Sequence, residues 1–129
     1  MRTLLLWLAL LAVSWGDGRD PAAVLKKYGH QLEGQARVQP LEVPSPLGGP
    51  AFTHYQSCSQ QVGLSLEPYQ GKKIELLKCT LQKRSRQGYK LFAWLAYQND
   101  RLVGAWLSTE APIAPGLGSL DDPSFGSNF

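Results

Sequence analysis

The sequence predicts an α+β domain, two helices packed on one face of a small antiparallel sheet, and three observations carry that expectation. Two segments with apolar residues at helical spacing come first in the chain. Apolar strand-like runs then follow one another from Lys72 to Glu110 with no helical pattern between them. Between the last two runs stands Asn99-Asp100, a pair that tolerates the positive φ angles of a tight hairpin turn. Helices followed by consecutive strands, instead of helices alternating with them, belong to the α+β class.

Each element has its own signal. In "DPAAVLKKYG", Asp20 is a plausible N-cap, Pro21 suits the first helical position and Gly29 stops the helix. Val24, Leu25 and Tyr28 then share a docking face while Lys26 and Lys27 point outward. "ARVQPLEVP", residues 36–44, is extended, but Pro40 and Pro44 remove backbone donors and restrict it to an edge. "SPLGGP" closes that element. A second helix runs from about Pro50 to Val62, with Phe52, Tyr55, Cys58 and Val62 at spacings of three and four, and Gly63 caps it in the left-handed region.

"GLSLEPYQGKK" joins this helix to the strands. Its Gly71-Lys72-Lys73 lacks the glycine spacing of a phosphate-binding loop and precedes a strand instead of opening a helix, so it reads as a turn. In the strand that follows, Leu77, Cys79 and Leu81 share one face, and Ile74, Leu76, Lys78 and Thr80 the other. "RSRQG" reverses the chain into the hairpin. A two-residue loop at Asn99-Asp100 sets Gln98 against Arg101 and places Trp94 opposite Ala105 and Trp106 opposite Ala93. One face then carries Phe92, Trp94, Ala96, Val103, Ala105 and Leu107; the other carries Tyr89, Leu91, Ala93, Leu95, Tyr97, Leu102, Gly104 and Trp106. Both are apolar, so something must cover the second face. The Gly/Pro/Ser-rich tail, residues 111–129, a second subunit, and a ligand or membrane surface are the candidates. The tail itself reads as irregular, with mobile last residues.

The domain organisation is a leader, one domain and this tail. Residues 1–16 have one charge, Arg2, then an apolar run and small residues at Ser14 and Gly16, the pattern of a secretory signal; a retained anchor is the other reading. Residues 17–110 form the single domain. The expected location is secreted or extracytoplasmic, with membrane contact only if the leader is retained. In that compartment Cys58 and Cys79 read as a disulfide, each on an apolar side of its element and meeting where helix crosses sheet.

Little catalytic chemistry is written in the chain. His54, Cys58 and Cys79 make an incomplete ligand set for a metal, and no carboxylate pair or nucleophile–base spacing appears, so neither a cofactor nor a metal is expected. His30 reads as a helix-end residue. Without the leader the formal charge falls from +3 to +2, but Lys72, Lys73, Lys78, Lys83, Arg84, Arg86 and Lys90 cluster in the strand region. Such a cluster is either a solvated edge or a patch for an anionic cell-surface polymer or lipid headgroup, whereas nucleic acid is not an expected partner outside the cell.

With the elements placed, "KKYG" at residues 26–29, "YQSCSQQVGLSLEPYQGKKIE" at 55–75 and "NDRLVGAWLS" at 99–108 together resemble domain-of-unknown-function family 4830. The resemblance covers roughly residues 24–120. It implies a bacterial, mainly Gram-positive, extracytoplasmic protein and no known activity. Gly104-Ala105 stands where the family's return strand has a glycine pair, and Cys58 and Cys79 look particular to this chain.

The resulting expectation is a helix, an extended edge, a helix and three strands, cystatin-like in outline. Its function reads as a non-catalytic extracytoplasmic binding or interaction module. Tyr89, Tyr97 and Trp106 are the expected anchors and Lys90 belongs to the cationic rim, facing an unknown protein, a cell-surface ligand or a second copy of the chain. The alternative is a small secreted hydrolase or thiol-redox protein built on His54, Cys58 and Cys79.

Overall fold

A computed structural model describes residues 19–114 and 116–129; the leader, and with it the signal or anchor reading, lies outside them. The fold is α+β, two helices with a five-stranded antiparallel sheet in the order β1-β2-β3-β4-β5. Helix α1 is Pro21–Lys27, strand β1 Arg37–Glu42, helix α2 Pro50–Gln61, β2 Lys73–Arg84, β3 Lys90–Gln98, β4 Arg101–Thr109 and β5 Leu117–Gly118. Local signals act as expected. The Asp20 carboxylate accepts from the Ala23 N–H at 3.1 Å, and Gly29 and Gly63 leave their helices with φ of +82° and +79°. Gly71, with φ +77°, belongs to the turn before β2.

The two helices do not share a face. Leu25 of α1 packs with Leu77, Cys79, Leu81, Leu91, Ala93, Leu95, Tyr97, Ala105 and Leu107. Helix α2 instead packs Cys58, with Phe52 and Tyr55, against Ile74, Leu76, Ala96, Val103 and Trp106. The sheet is therefore a middle layer, and the cystatin-like outline with both helices on one side does not hold. The physical reason is in the composition: both faces of β2–β4 are apolar, and one helix on each removes both from water.

The tail completes the α1 side. Leu120 is fully buried there, Phe125 and Phe129 pack beside it, and β5 pairs Leu117 with Ser108. His30 Nε2 lies 2.7 Å from the Leu120 carbonyl oxygen, and the backbone N–H groups of Arg86 and Gln87 donate to the carbonyls of Gly126 and Phe129. The tail, irregular apart from β5, is thus the cover of that face down to its last residue, one of the covers that the composition left open. Apolar side chains spaced among its glycines and prolines were enough to dock it.

The hairpin register also departs from expectation. Gln98 faces Arg101 and Tyr97 faces Leu102, but beyond them Ala96 pairs with Gly104 and Trp94 with Trp106. Val103 is the extra residue of a β-bulge, and it moves every later side chain of β4 to the other side of the sheet. Trp106 accordingly lies on the α2 face beside Trp94, stacked on Tyr55 at 4.2 Å between ring centroids and 12° between planes. Gly104 makes this approach of α2 feasible. A Cβ there would stand 2.8 Å from Leu66 Cδ2 and 3.3 Å from Ser59 Oγ. Ser59, buried on α2, accepts from the Ala105 N–H at 3.0 Å, so the helix satisfies a backbone donor of β4.

Candidate functional site

The residues expected to act together are dispersed. Tyr97 is fully buried on the α1 face, Trp106 is buried under α2, Tyr89 is half-buried in the β2–β3 turn with its N–H on Ser85 Oγ, and only Lys90 is exposed. The Tyr97 hydroxyl has no hydrogen-bond partner among the described residues, and burial, followed by the neighbouring Cys79, pushes it up to about 12. It is a core group, out of reach of any partner.

The cysteines do not form a disulfide. Both are free and buried, Cys58 on the α2 side of the sheet and Cys79 on the α1 side. The expected pairing required α2 to lie over Leu77 and Leu81, whereas it lies over Ile74 and Leu76. Burial raises both thiols, Cys79 to about 12, which leaves neither as a ready thiolate. His54 is exposed on α2, and no group of three or more metal-ligating side chains occurs among the described residues. The hydrolase, thiol-redox and metal readings thus have no assembled site in the described part of the chain.

What the fold does present is the uncovered half of the α2 face. A twelve-residue helix spans about 18 Å and a twelve-residue strand about 40 Å, so α2 cannot roof the whole of β2. It covers the end carrying Ile74 and Leu76. Beyond that end the same face continues with Lys78 and Thr80 on β2, Phe92 and Trp94 on β3, Arg37 on β1 and Lys90 at the start of β3. Gln35, Arg37, Lys78, Thr80, Lys90, Phe92 and Glu110 line a hollow of about 240 Å³ there.

Its geometry follows from the ladder. Arg37 is directly opposite Lys78, and Lys78 directly opposite Trp94. Like charges facing each other across a strand pair are unfavourable, and here rings offset the cost. The Lys78 ammonium lies 4.4 Å from the Phe92 centroid and 5.4 Å from that of Trp94. Trp94 is itself fixed, its indole N–H donating to Ser108 Oγ at 2.6 Å. Ion pairs among the described residues join Arg19 to Glu75 and Asp100, and Arg84 to Glu33; none involves Arg37, Lys78 or Lys90. The single carboxylate at the hollow, Glu110, accepts from the Lys90 backbone N–H at 2.6 Å.

A family model, a domain of unknown function, DUF4830, matches residues 24–107, from within α1 into β4. The chain belongs to that family. The DUF4830 match therefore spans β1 to β3 and most of β4, α2 and the second half of α1, and every lining residue of the hollow except Glu110, while β5 and the tail that closes the α1 face lie beyond it. No curated protein and no solved structure matches the chain.

Of the expected anchors and rim residues, Lys90 alone lies at this surface; Lys78 was read only as one member of the basic cluster, and Arg37, Phe92 and Trp94 were not singled out as binding residues. A signal for them was present. The α2-facing side of β2 reads Ile74, Leu76, Lys78, Thr80, and the change from apolar to polar marks where the helix stops.

Proposed function

We propose that this protein is a non-catalytic binding module that works outside the cytoplasm and holds an anionic ligand on the uncovered half of its α2 sheet face. One observation carries the reading: three cations, Arg37, Lys78 and Lys90, line one hollow against a single carboxylate, Glu110. A net excess of cations on a sheet face, with Lys78 already held against Phe92 and Trp94, is an electrostatic complement for an anion. The extracytoplasmic placement is supported by the charge-poor apolar run of residues 1–16. No described helix is long and apolar enough to cross a membrane.

Tryptophan emission of the full-length chain, followed while dextran sulfate is added, tests the reading. Trp94 lies beside Lys78, so emission changes on binding, the affinity falls as salt rises, and Arg37→Gln with Lys78→Gln weakens it at least tenfold. Unchanged affinity in the double variant would remove the surface from consideration.

A further inference from the structure

We infer that the leader, residues 1–16, while it is in a membrane, holds the β3–β4 hairpin end of the sheet against the lipid headgroups and turns the Lys90 end away from them. This rests on the extracytoplasmic reading above and adds which end of the domain meets the bilayer. Arg19, three residues beyond the leader, is clamped to the domain. Its Nε donates to the Asn99 carbonyl oxygen at 2.5 Å, another guanidinium nitrogen lies 2.6 Å from Glu75 Oε1, and the guanidinium stands 5.4 Å from the centre of the Tyr97 ring. A planar guanidinium held on three sides is a fixed point where a lone surface ion pair would not be. Helix α1 begins two residues later and buries Leu25 in the core, so the chain is fastened from Arg19 onward.

Distances then set the orientation. From Gly16 to Arg19 the chain reaches at most about 11 Å, and a headgroup layer is about 5–8 Å thick. Lys90 opens β3, and eight residues of strand carry it about 26 Å from Gln98 at the hairpin end. A leader that ends at the membrane boundary therefore brings the hairpin to the headgroups and cannot bring Lys90 there in an upright domain. No broad apolar side draws the domain down flat, since the large apolar side chains left exposed among the described residues are Val38 on β1 and Ile113 in the tail. The hairpin end suits the contact. Tyr69, Lys72 and Arg101 stand there, an aromatic and two cations of the kinds that gather at bilayer interfaces. Neither cation has an ion pair among the described residues, and the neighbouring Asp100 carboxylate lies 3.9 Å from Arg19 Nε. These side chains fit the headgroups; the tether at Arg19 is what selects this end.

Quenching by lipid tests the inference in the full-length chain, leader included, reconstituted into phosphatidylcholine–phosphatidylglycerol vesicles that carry a nitroxide on the headgroup. A fluorophore on Arg101→Cys is compared with one on Gln87→Cys in the β2–β3 turn, both exposed positions, labelled while the buried Cys58 and Cys79 stay unreacted. Quenching is expected to be at least threefold stronger at Arg101→Cys, and the ratio to fall below about 1.5 when Arg19→Gln frees the clamp. Equal quenching at the two positions, or stronger quenching at Gln87→Cys, overturns the orientation. A ratio that survives Arg19→Gln overturns the clamp as its cause. A full-length chain that does not associate with the vesicles overturns the inference outright. The anion-binding reading is judged separately by the dextran sulfate titration, which reports on the hollow and not on the leader.

Discussion

The two faces of the sheet are built from equally apolar strands and finish differently. The α1 face is closed: α1 roofs one part, and Leu120, Phe125 and Phe129 of the tail roof the rest. The α2 face is covered at one end by the helix, with Val43 and Leu66 from the segments beside it, and ends in Lys78, Thr80, Phe92 and Arg37 at the other. The difference teaches that cover, not strand composition, decides which apolar residues become core. Trp106 and Trp94 are cross-strand neighbours, yet the first is sealed beneath Tyr55 and the second is half-buried at the helix's limit.

That comparison breaks most readily at Trp106. Trp106→Ala removes a buried aromatic and its stacking partner for Tyr55, and a loss of about 3–5 kcal/mol is expected in urea unfolding. A loss below about 1 kcal/mol would mean that α2 does not seal its end of the sheet. On the closed face Leu120→Ala is expected to cost about 2–4 kcal/mol by the same measurement. A negligible cost would mean that the tail rests on the face without contributing to it.

The thiols compare the two sides in a different way. Mass spectrometry without reductant is expected to find two free thiols, and a thiol reagent should reach Cys58 before Cys79, which is fully buried. The acid–base consequence has a definite sign. Cys79 is raised from about 9 to about 12 in the fold, so its contribution to stability is complete below pH 9 and is lost as pH rises towards 12. Tyr97 acts in the same sense between about 10 and about 12. Urea midpoints should therefore fall across that window, and fall less in Cys79→Ala. An equal decline in the variant would dissociate the alkaline loss from this thiol.

The smallest expected effect is at the open end. Lys78→Gln should change stability by less than about 0.5 kcal/mol, because the ring contacts it gives up at Phe92 and Trp94 are offset by the Arg37 repulsion it relieves. A large loss would make Lys78 a structural member of the sheet face instead of part of a binding surface.

Much of the fold was legible because its signals were local. Asp20-Pro21, Gly29, Gly63 and Asn99-Asp100 act on their own neighbours, and each ends or turns an element where expected. The α2 boundaries follow from the same kind of signal. The bulge at Val103 was not legible, since Gly104 there meets Ser59 of α2 and Leu66 of the segment that follows it, both distant in sequence. One extra residue then displaced Trp106 to the opposite face and took two of the expected anchors, Tyr97 and Trp106, into separate cores. The disulfide failed for a related reason. The alternation of β2 placed Cys79 with Leu77 and Leu81 correctly, but the side chosen by α2 is a tertiary outcome that no periodicity in either segment records. The site was legible only as a change of polarity along one strand.

Pro40 on β1 has a consequence beyond the domain itself. A sheet polymerises when an outer strand offers a continuous row of backbone donors and acceptors to a neighbour. Here β1, at one margin, lacks a donor at Pro40, while at the other β5 pairs with the end of β4 and Ser59 occupies the Ala105 N–H. Neither margin offers an unbroken template. A chain with so many apolar residues in consecutive strands is thereby kept from edge-to-edge fibre growth, and can be concentrated at a surface without assembling into one.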